Sequence, residues 1–291
     1  MTVQGPVDTY LSEEEERRRN LERILQSPSY RVAYRDVDLL SDPRLRPTRM
    51  ELELLKTELI FQEHNIRSTI VVFGAARILP PSQALRNLEL ARARLAESPG
   101  DPRRLRAVQR AERIYAKSHY YELARKFARI VSEACQKNGG CEYVIVTGGG
   151  PGIMEAANRG AYDVGAKSAG LNIRLPNEQL PNPYVTPELC LQFHYFAMRK
   201  FHFLLRAKAL VVFPGGFGTL DELFDALTLR QNRRMQEIPI ILFGREYWDR
   251  VINFQFLADE GVIDDEDLNL IQYAETPEEA WDIIRKFHGE P

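Results

Sequence analysis

The stretch FPGGFGTLDE, Phe213 to Glu222, sets three glycines and a threonine between an apolar run and an amphipathic helix, with two acids after them. Glycines at a strand-to-helix turn let backbone N–H groups approach an anion, and the helix start adds partial positive charge. GGGPG, Gly148 to Gly152, repeats the arrangement after another apolar run. Two such loops on one edge of a sheet favour a phosphate site over tight turns alone. Neither loop ends in Gly-Lys-Ser/Thr, and neither has full G-x-G-x-x-G spacing. No acid stands after the first strand in the place that would hold a cofactor ribose. A mononucleotide phosphate therefore fits better than ATP or NAD.

Thr219 and Glu222 carry two readings. Thr-x-x-Glu at a helix start is a capping box, with both side chains turned back to their own helix. Alternatively, Glu222 faces the cleft as an ionised carboxylate, its pKa lowered by the helix N-terminus. That state suits a base or a stabiliser of positive charge and not a general acid. Arg199 and Lys200, in MRKFH, are either a solvated helix face or two cations beside the anion. None of the five histidines shows metal-ligand spacing, no pair among the three cysteines does, and no G-x-S-x-G is present. No metal and no cofactor are expected.

The elements that must position these loops are strands and helices in alternation. STIVVFGAARI from Ser68, EYVIVTGGG, SAGLNIRL, LCLQFHY, ALVVFPGG, IPIILFG and LIQYAET read as strands. Helices intervene, and SPGDP at 98–102 splits a long helical stretch, with Asp101 as cap and Pro102 at the first position of the second part. That second helix, or broken pair, runs to about Lys137. EYWDRVINFQFLADEG reads as one helix, and Thr276, Pro277 and Glu279 as the cap of the last. This pattern predicts a Rossmann-like, doubly wound parallel sheet with helices on both faces. Ligands in such sheets bind beyond the carboxyl ends of the strands, and FGAAR, TGGGPG and FPGGFGT should all open there. Residues 1–66 read as a helical N-terminal extension, with Ser12 capping its first helix, and 67–291 as the Rossmann-like domain.

The chain of 291 residues is 44% hydrophobic and 27% charged, with a formal net charge of -2. Nothing in that balance argues for nucleic acid or a membrane surface. The apolar runs are too short to span a bilayer, and the acidic start is no signal peptide. The three cysteines suit a reduced, cytoplasmic protein.

TGGGPGIMEAANRGA, AMRK and PGGFGTLDE, in this order and spacing, resemble the LONELY GUY family of nucleoside-monophosphate phosphoribohydrolases over roughly residues 68 to 287. The resemblance implies hydrolysis of the N-glycosidic bond of AMP or a cytokinin riboside 5'-monophosphate, releasing free base and ribose 5-phosphate. It implies a homodimer or larger assembly of dimers. Carried onto this chain, Glu222 and Arg199 are catalytic. Gly215, Gly216, Gly218 and Thr219 cradle the phosphate, beside Lys200, and Gly149, Gly150 and Gly152 line the other side. Glu178 resembles a substrate-contacting glutamate. The family was long labelled "possible lysine decarboxylase", yet no lysine here sits in a pyridoxal-phosphate context. This chain departs from compact members with Ala75, Ala76 and Arg77 where they carry serines, with Glu155 in place of a common glycine, and with a longer helical insertion at about 79 to 137. A non-catalytic nucleotide- or cofactor-binding protein of the same fold is the alternative.

Overall fold

A computed structural model describes residues 12–136, 141–174 and 180–289. The chain divides into two compact units, Met1–Leu52 and Glu53–Pro291. In the first, helix α1 (Glu13–Gln26) opens on Ser12, which forms a reciprocal capping box with Glu15. A short helix, α2 (Val37–Ser41), is capped by Asp36. Helix α3 spans Arg46–Glu63.

Among the described residues, the second unit contains seven parallel strands: β1 (Thr69–Phe73), β2 (Val144–Thr147), β3 (Ser168–Ile173), β4 (Cys190–Phe193), β5 (Ala207–Val212), β6 (Ile240–Phe243) and β7 (Ile271–Ala274). Their order is β4-β3-β2-β1-β5-β6-β7. The chain winds outward from β1 to β4, returns to the other side of β1, and winds outward again. The order thus reverses between β1 and β5. That reversal opens a crevice at the strands' carboxyl ends, because the loops leave in opposite directions there.

The helices are α4 (Pro81–Glu97), α5 (Pro102–Lys117), α6 (His119–Cys135), α7 (Ile153–Tyr162), α8 (Phe196–Leu205), α9 (Phe217–Gln231), α10 (Arg245–Val251), α11 (Phe254–Asp259) and α12 (Pro277–His288). Successive strand residues point to opposite faces, so each apolar strand feeds two cores. Ile70, Val72, Ile145, Val211 and Ile241 pack with Tyr121 and Phe127 of α6, Ile153 of α7 and Ile284 of α12. Val71, Phe73, Val146, Val212 and Leu242 pack with Phe61 of α3, Phe203 of α8, Leu223 of α9 and Trp248 of α10. Helices therefore cover both faces, as the alternating pattern predicts.

The insertion folds as a helical hairpin, α4 and α5, pinned by Arg92–Glu112 at 2.8 Å. Asp101 accepts the Arg103 amide, and Pro102 starts α5. The long helical stretch breaks again at Ser118, whose hydroxyl bonds the Tyr115 carbonyl and ends α5. The segment expected as one helix after β6 is two, α10 and α11. Asn253 accepts the Phe256 amide and caps the second of them. At α12, Thr276 caps Glu279 as expected, but the Glu279 carboxylate reaches the amide of Glu275. Among the described residues, no helix is long and apolar enough to cross a membrane.

Candidate active site

The loops after β1, β2 and β5 meet at the switch point and are tied together by their backbones. The Ala75 amide donates to the Pro214 carbonyl at 3.0 Å, and the Ile153 amide donates to the Ala75 carbonyl at 3.2 Å. The Tyr247 hydroxyl on α10 donates to the Gly215 carbonyl at 2.6 Å. The Gly149 amide donates to the Thr147 hydroxyl, and that hydroxyl donates to Asn158 Oδ1 at 2.7 Å. Asn182 bridges Asn158 and the Gly150 carbonyl from beyond β3. This network is buried, and buried polar groups hold position because losing a partner costs their desolvation.

Between these loops lies a cleft of about 620 Å³. Gly148, Gly150, Gly216, Gly218, Thr219, Arg199 and Glu222 line it, together with Arg77, Asn172, Met154 and Phe217. The glycines divide by role. A Cβ at Gly215 would overlap the Thr219 side chain, so this glycine lets the loop pack on the helix. Gly149 and Gly152 both have φ of 72°, and a Cβ there would meet Asn172 or the Ala75–Ala76 backbone. They shape the loop from behind. Gly216 and Gly218 face open space on the cleft side, with nothing within 4 Å of an added Cβ. Glu178 lies outside the described residues.

The capping-box reading of Thr219 and Glu222 does not hold. Helix α9 begins at Phe217 on an N-cap Gly216, so Thr219 and Glu222 are its third and sixth residues. Glu222 has left the first turn, where the helix dipole acts. Its side chain is only 6% exposed and meets Arg199 Nη2 at 3.4 Å and Lys200 Nζ at 3.8 Å. Burial raises its pKa above the ordinary glutamate range, with Lys200 and Arg199 partly offsetting that. The expected lowering by the helix start is therefore reversed, because the carboxyl is desolvated. Such a group takes up a proton more readily than a surface glutamate.

Arg199 lies against two aromatic rings. Its guanidinium lies 5.3 Å from the Phe196 ring centroid and 5.4 Å from that of Phe203. These rings stand three residues before and four after it on α8, which puts all three on one helix face. That spacing, Phe-x-x-Arg-x-x-x-Phe, is the sequence signal for the contact. Arg199 Nε is buried and has no hydrogen-bond partner among the described residues. Lys200 binds Asp221 at 3.0 Å and stays 3.8 Å from Asp225. Burial alone would lower its pKa, but Asp221, Glu222 and Asp225 outweigh that and raise it. Glu155, the departure from the common glycine, accepts from the buried Tyr121 hydroxyl at 2.7 Å and ties α7 to α6.

Fold and site define a Rossmann-like α/β protein with a carboxylate–guanidinium pair in its switch-point cleft. A model of the family described as "Possible lysine decarboxylase" matches residues 154–284. A curated relative, the probable cytokinin riboside 5'-monophosphate phosphoribohydrolase LOGL3 of Oryza sativa subsp. japonica, is 25% identical over 153 residues, which is 50% of this chain and 68% of that protein. Both findings make the chain similar to the LONELY GUY family. Solved structures with similarity include the X-ray structure of TM1055, from a structural genomics consortium, at 23% identity and TM-score 0.45, covering 75% of this chain and 99% of that one. The molybdenum cofactor binding protein from Rippkaea orientalis shows 22% identity and TM-score 0.38 over 58% of this chain and 87% of that one.

Proposed function

We propose that this protein hydrolyses the N-glycosidic bond of a purine nucleoside 5'-monophosphate, AMP or a cytokinin riboside 5'-monophosphate, to free base and ribose 5-phosphate. The observation that carries this reading is the buried Glu222, paired with Arg199, on the wall of a cleft whose loop opens at Gly216 and Gly218. The activity in the name of the rice relative supports the same substrate class.

In this reading the 5'-phosphate sits against the Gly216–Gly218 backbone at the start of α9. The ribose then lies over Glu222, one turn further along the helix. As the bond from C1' to the base nitrogen lengthens, its electrons leave with the base and positive charge grows on the sugar. The Glu222 carboxylate stabilises that charge and takes a proton from the attacking water, whose oxygen bonds to C1'. The proton passes on to the departing base, which closes the balance. Arg199 fixes the carboxylate and offers its free Nε to substrate oxygen. Exposed Phe201, Leu205 and Phe224 on α8 and α9 suit the dimer that belongs to the same reading.

Incubating the purified protein with AMP and isopentenyladenosine monophosphate, and assaying free base and ribose 5-phosphate, tests the proposal. Release of both products is expected. Binding without turnover by a folded protein would replace the reading with a non-catalytic nucleotide binder. The glycines give a second check. Gly216→Ala is expected to cost no more than about 1 kcal/mol of stability, because its φ of -100° suits alanine, yet to weaken AMP binding by filling the cleft wall. Gly215→Ala is expected to destabilise by about 1–3 kcal/mol through overlap with Thr219. Thermal melts and AMP titrations of both variants separate packing from ligand contact.

A further inference from the structure

The geometry points to Arg77 as the cation that grips the substrate phosphate and so selects nucleotides over nucleosides. This rests on the nucleoside-monophosphate reading of the cleft and names a residue for it. Arg77 follows β1, one of the two strands between which the sheet order reverses. Its turn is tied to both neighbouring loops through Ala75, and the Ile78 amide closes it onto the Ala75 carbonyl at 3.3 Å. The backbone under Arg77 is therefore fixed between the two glycine loops. Its side chain is exposed, lines the cleft, and forms no ion pair with any described residue.

The other two cations at the site are each already paired with a carboxylate. Arg199 lies against two phenyl rings and Glu222, and Lys200 is bound to Asp221. Charge points the same way. Glu222, Asp221 and Asp225 set three carboxylates against Arg199 and Lys200, an excess of one negative charge. A phosphate monoester carrying between one and two negative charges meets repulsion there unless a third cation faces it. Arg77 is the cleft residue that supplies one. A guanidinium binds two phosphate oxygens in a planar fork, while Gly216 and Gly218 leave the opposite side of the phosphate to backbone.

The experiment compares wild type, Arg77→Gln and Arg77→Lys by steady-state kinetics with AMP and with adenosine, and by titration with ribose 5-phosphate. Arg77→Gln is expected to raise KM for AMP about 10- to 100-fold, as befits a lost charged hydrogen bond. Its kcat for AMP should change far less. Its affinity for ribose 5-phosphate should fall in parallel, and its kinetics with adenosine should not move. Arg77→Lys should recover part of the loss by restoring charge without the fork. Equal KM for AMP in wild type and Arg77→Gln, with wild-type turnover intact, overturns the assignment of Arg77 alone. An equal loss on adenosine also overturns it, because the effect is then not on the phosphate. A folded wild type that neither binds nor cleaves AMP overturns the underlying reading instead. The side chain is exposed, so folding of the variants is not at stake.

Discussion

Glu222→Gln is expected to lower kcat for AMP about 10²- to 10⁴-fold, the usual worth of a positioned proton-transfer group. AMP affinity should change little, because the proposed function places the phosphate elsewhere in the cleft, against Gly216 and Gly218. Glutamine keeps the volume and can still accept from Arg199, so the loss isolates the carboxylate's charge and basicity. Single-turnover assays and AMP titration on the same preparation check both halves. A variant retaining near-wild-type kcat would remove Glu222 from the chemistry.

The same substitution has a thermodynamic signature. Burial raises the Glu222 pKa, so the native state favours the protonated form more than the unfolded chain does. The folded protein therefore binds more protons between the ordinary glutamate pKa and the raised one. Stability from this group is present at the acid end of that window and is lost as pH rises through the raised value. Glutamine mimics the protonated form throughout. At neutral pH the melting temperature of Glu222→Gln should equal or exceed that of wild type, and the gap should close as pH falls. Wild-type kcat/KM should fall on the acid side at a pH above the ordinary glutamate value. A clearly less stable glutamine variant would mean that attraction to Lys200 and Arg199 outweighs desolvation.

The strands were legible as short apolar runs, four of which, β1, β2, β5 and β6, lead into glycine, and parallel strands buried on both faces require such runs. Their order, and so the switch point, was not. The loops were legible for the same reason, since glycine is conspicuous. The start of α9 was not. Thr219 and Glu222 have capping-box spacing, and only the fold shows that Gly216 takes the N-cap three residues before Thr219. The sign of the Glu222 pKa shift was hidden too, because it depends on desolvation by residues distant in sequence. Asn158 and Asn182 stand 24 residues apart and hold one loop through a shared hydrogen bond. No local pattern marks such a pair. Arg77 stood out in the sequence only as a departure from serine. Its meaning comes from the backbone ties that place it beside two loops far along the chain.

Arg199→Lys is expected to reduce kcat/KM for AMP roughly 10²-fold even though charge is kept. The site suits a planar group, because the Phe196 and Phe203 rings both lie within 5.4 Å of the guanidinium. A lysine ammonium is a compact, strongly hydrated charge that gains less beside two rings. It also lacks the second nitrogen with which Arg199 can hold Glu222 through Nη2 and still present Nε. Arg199→Met tests the electrostatic part. Arg199 is one of two cations that restrain the upward shift of the Glu222 pKa. Without it the carboxyl is opposed only by Lys200, and the acid limb of the pH–rate profile should move to higher pH. Arg199→Lys should leave that limb near its wild-type position while turnover falls. The two variants thus separate charge, read in the profile, from shape, read in the rate. If both variants moved the limb equally, Arg199 would act on Glu222 through packing, and its guanidinium charge would not be what tunes the carboxylate.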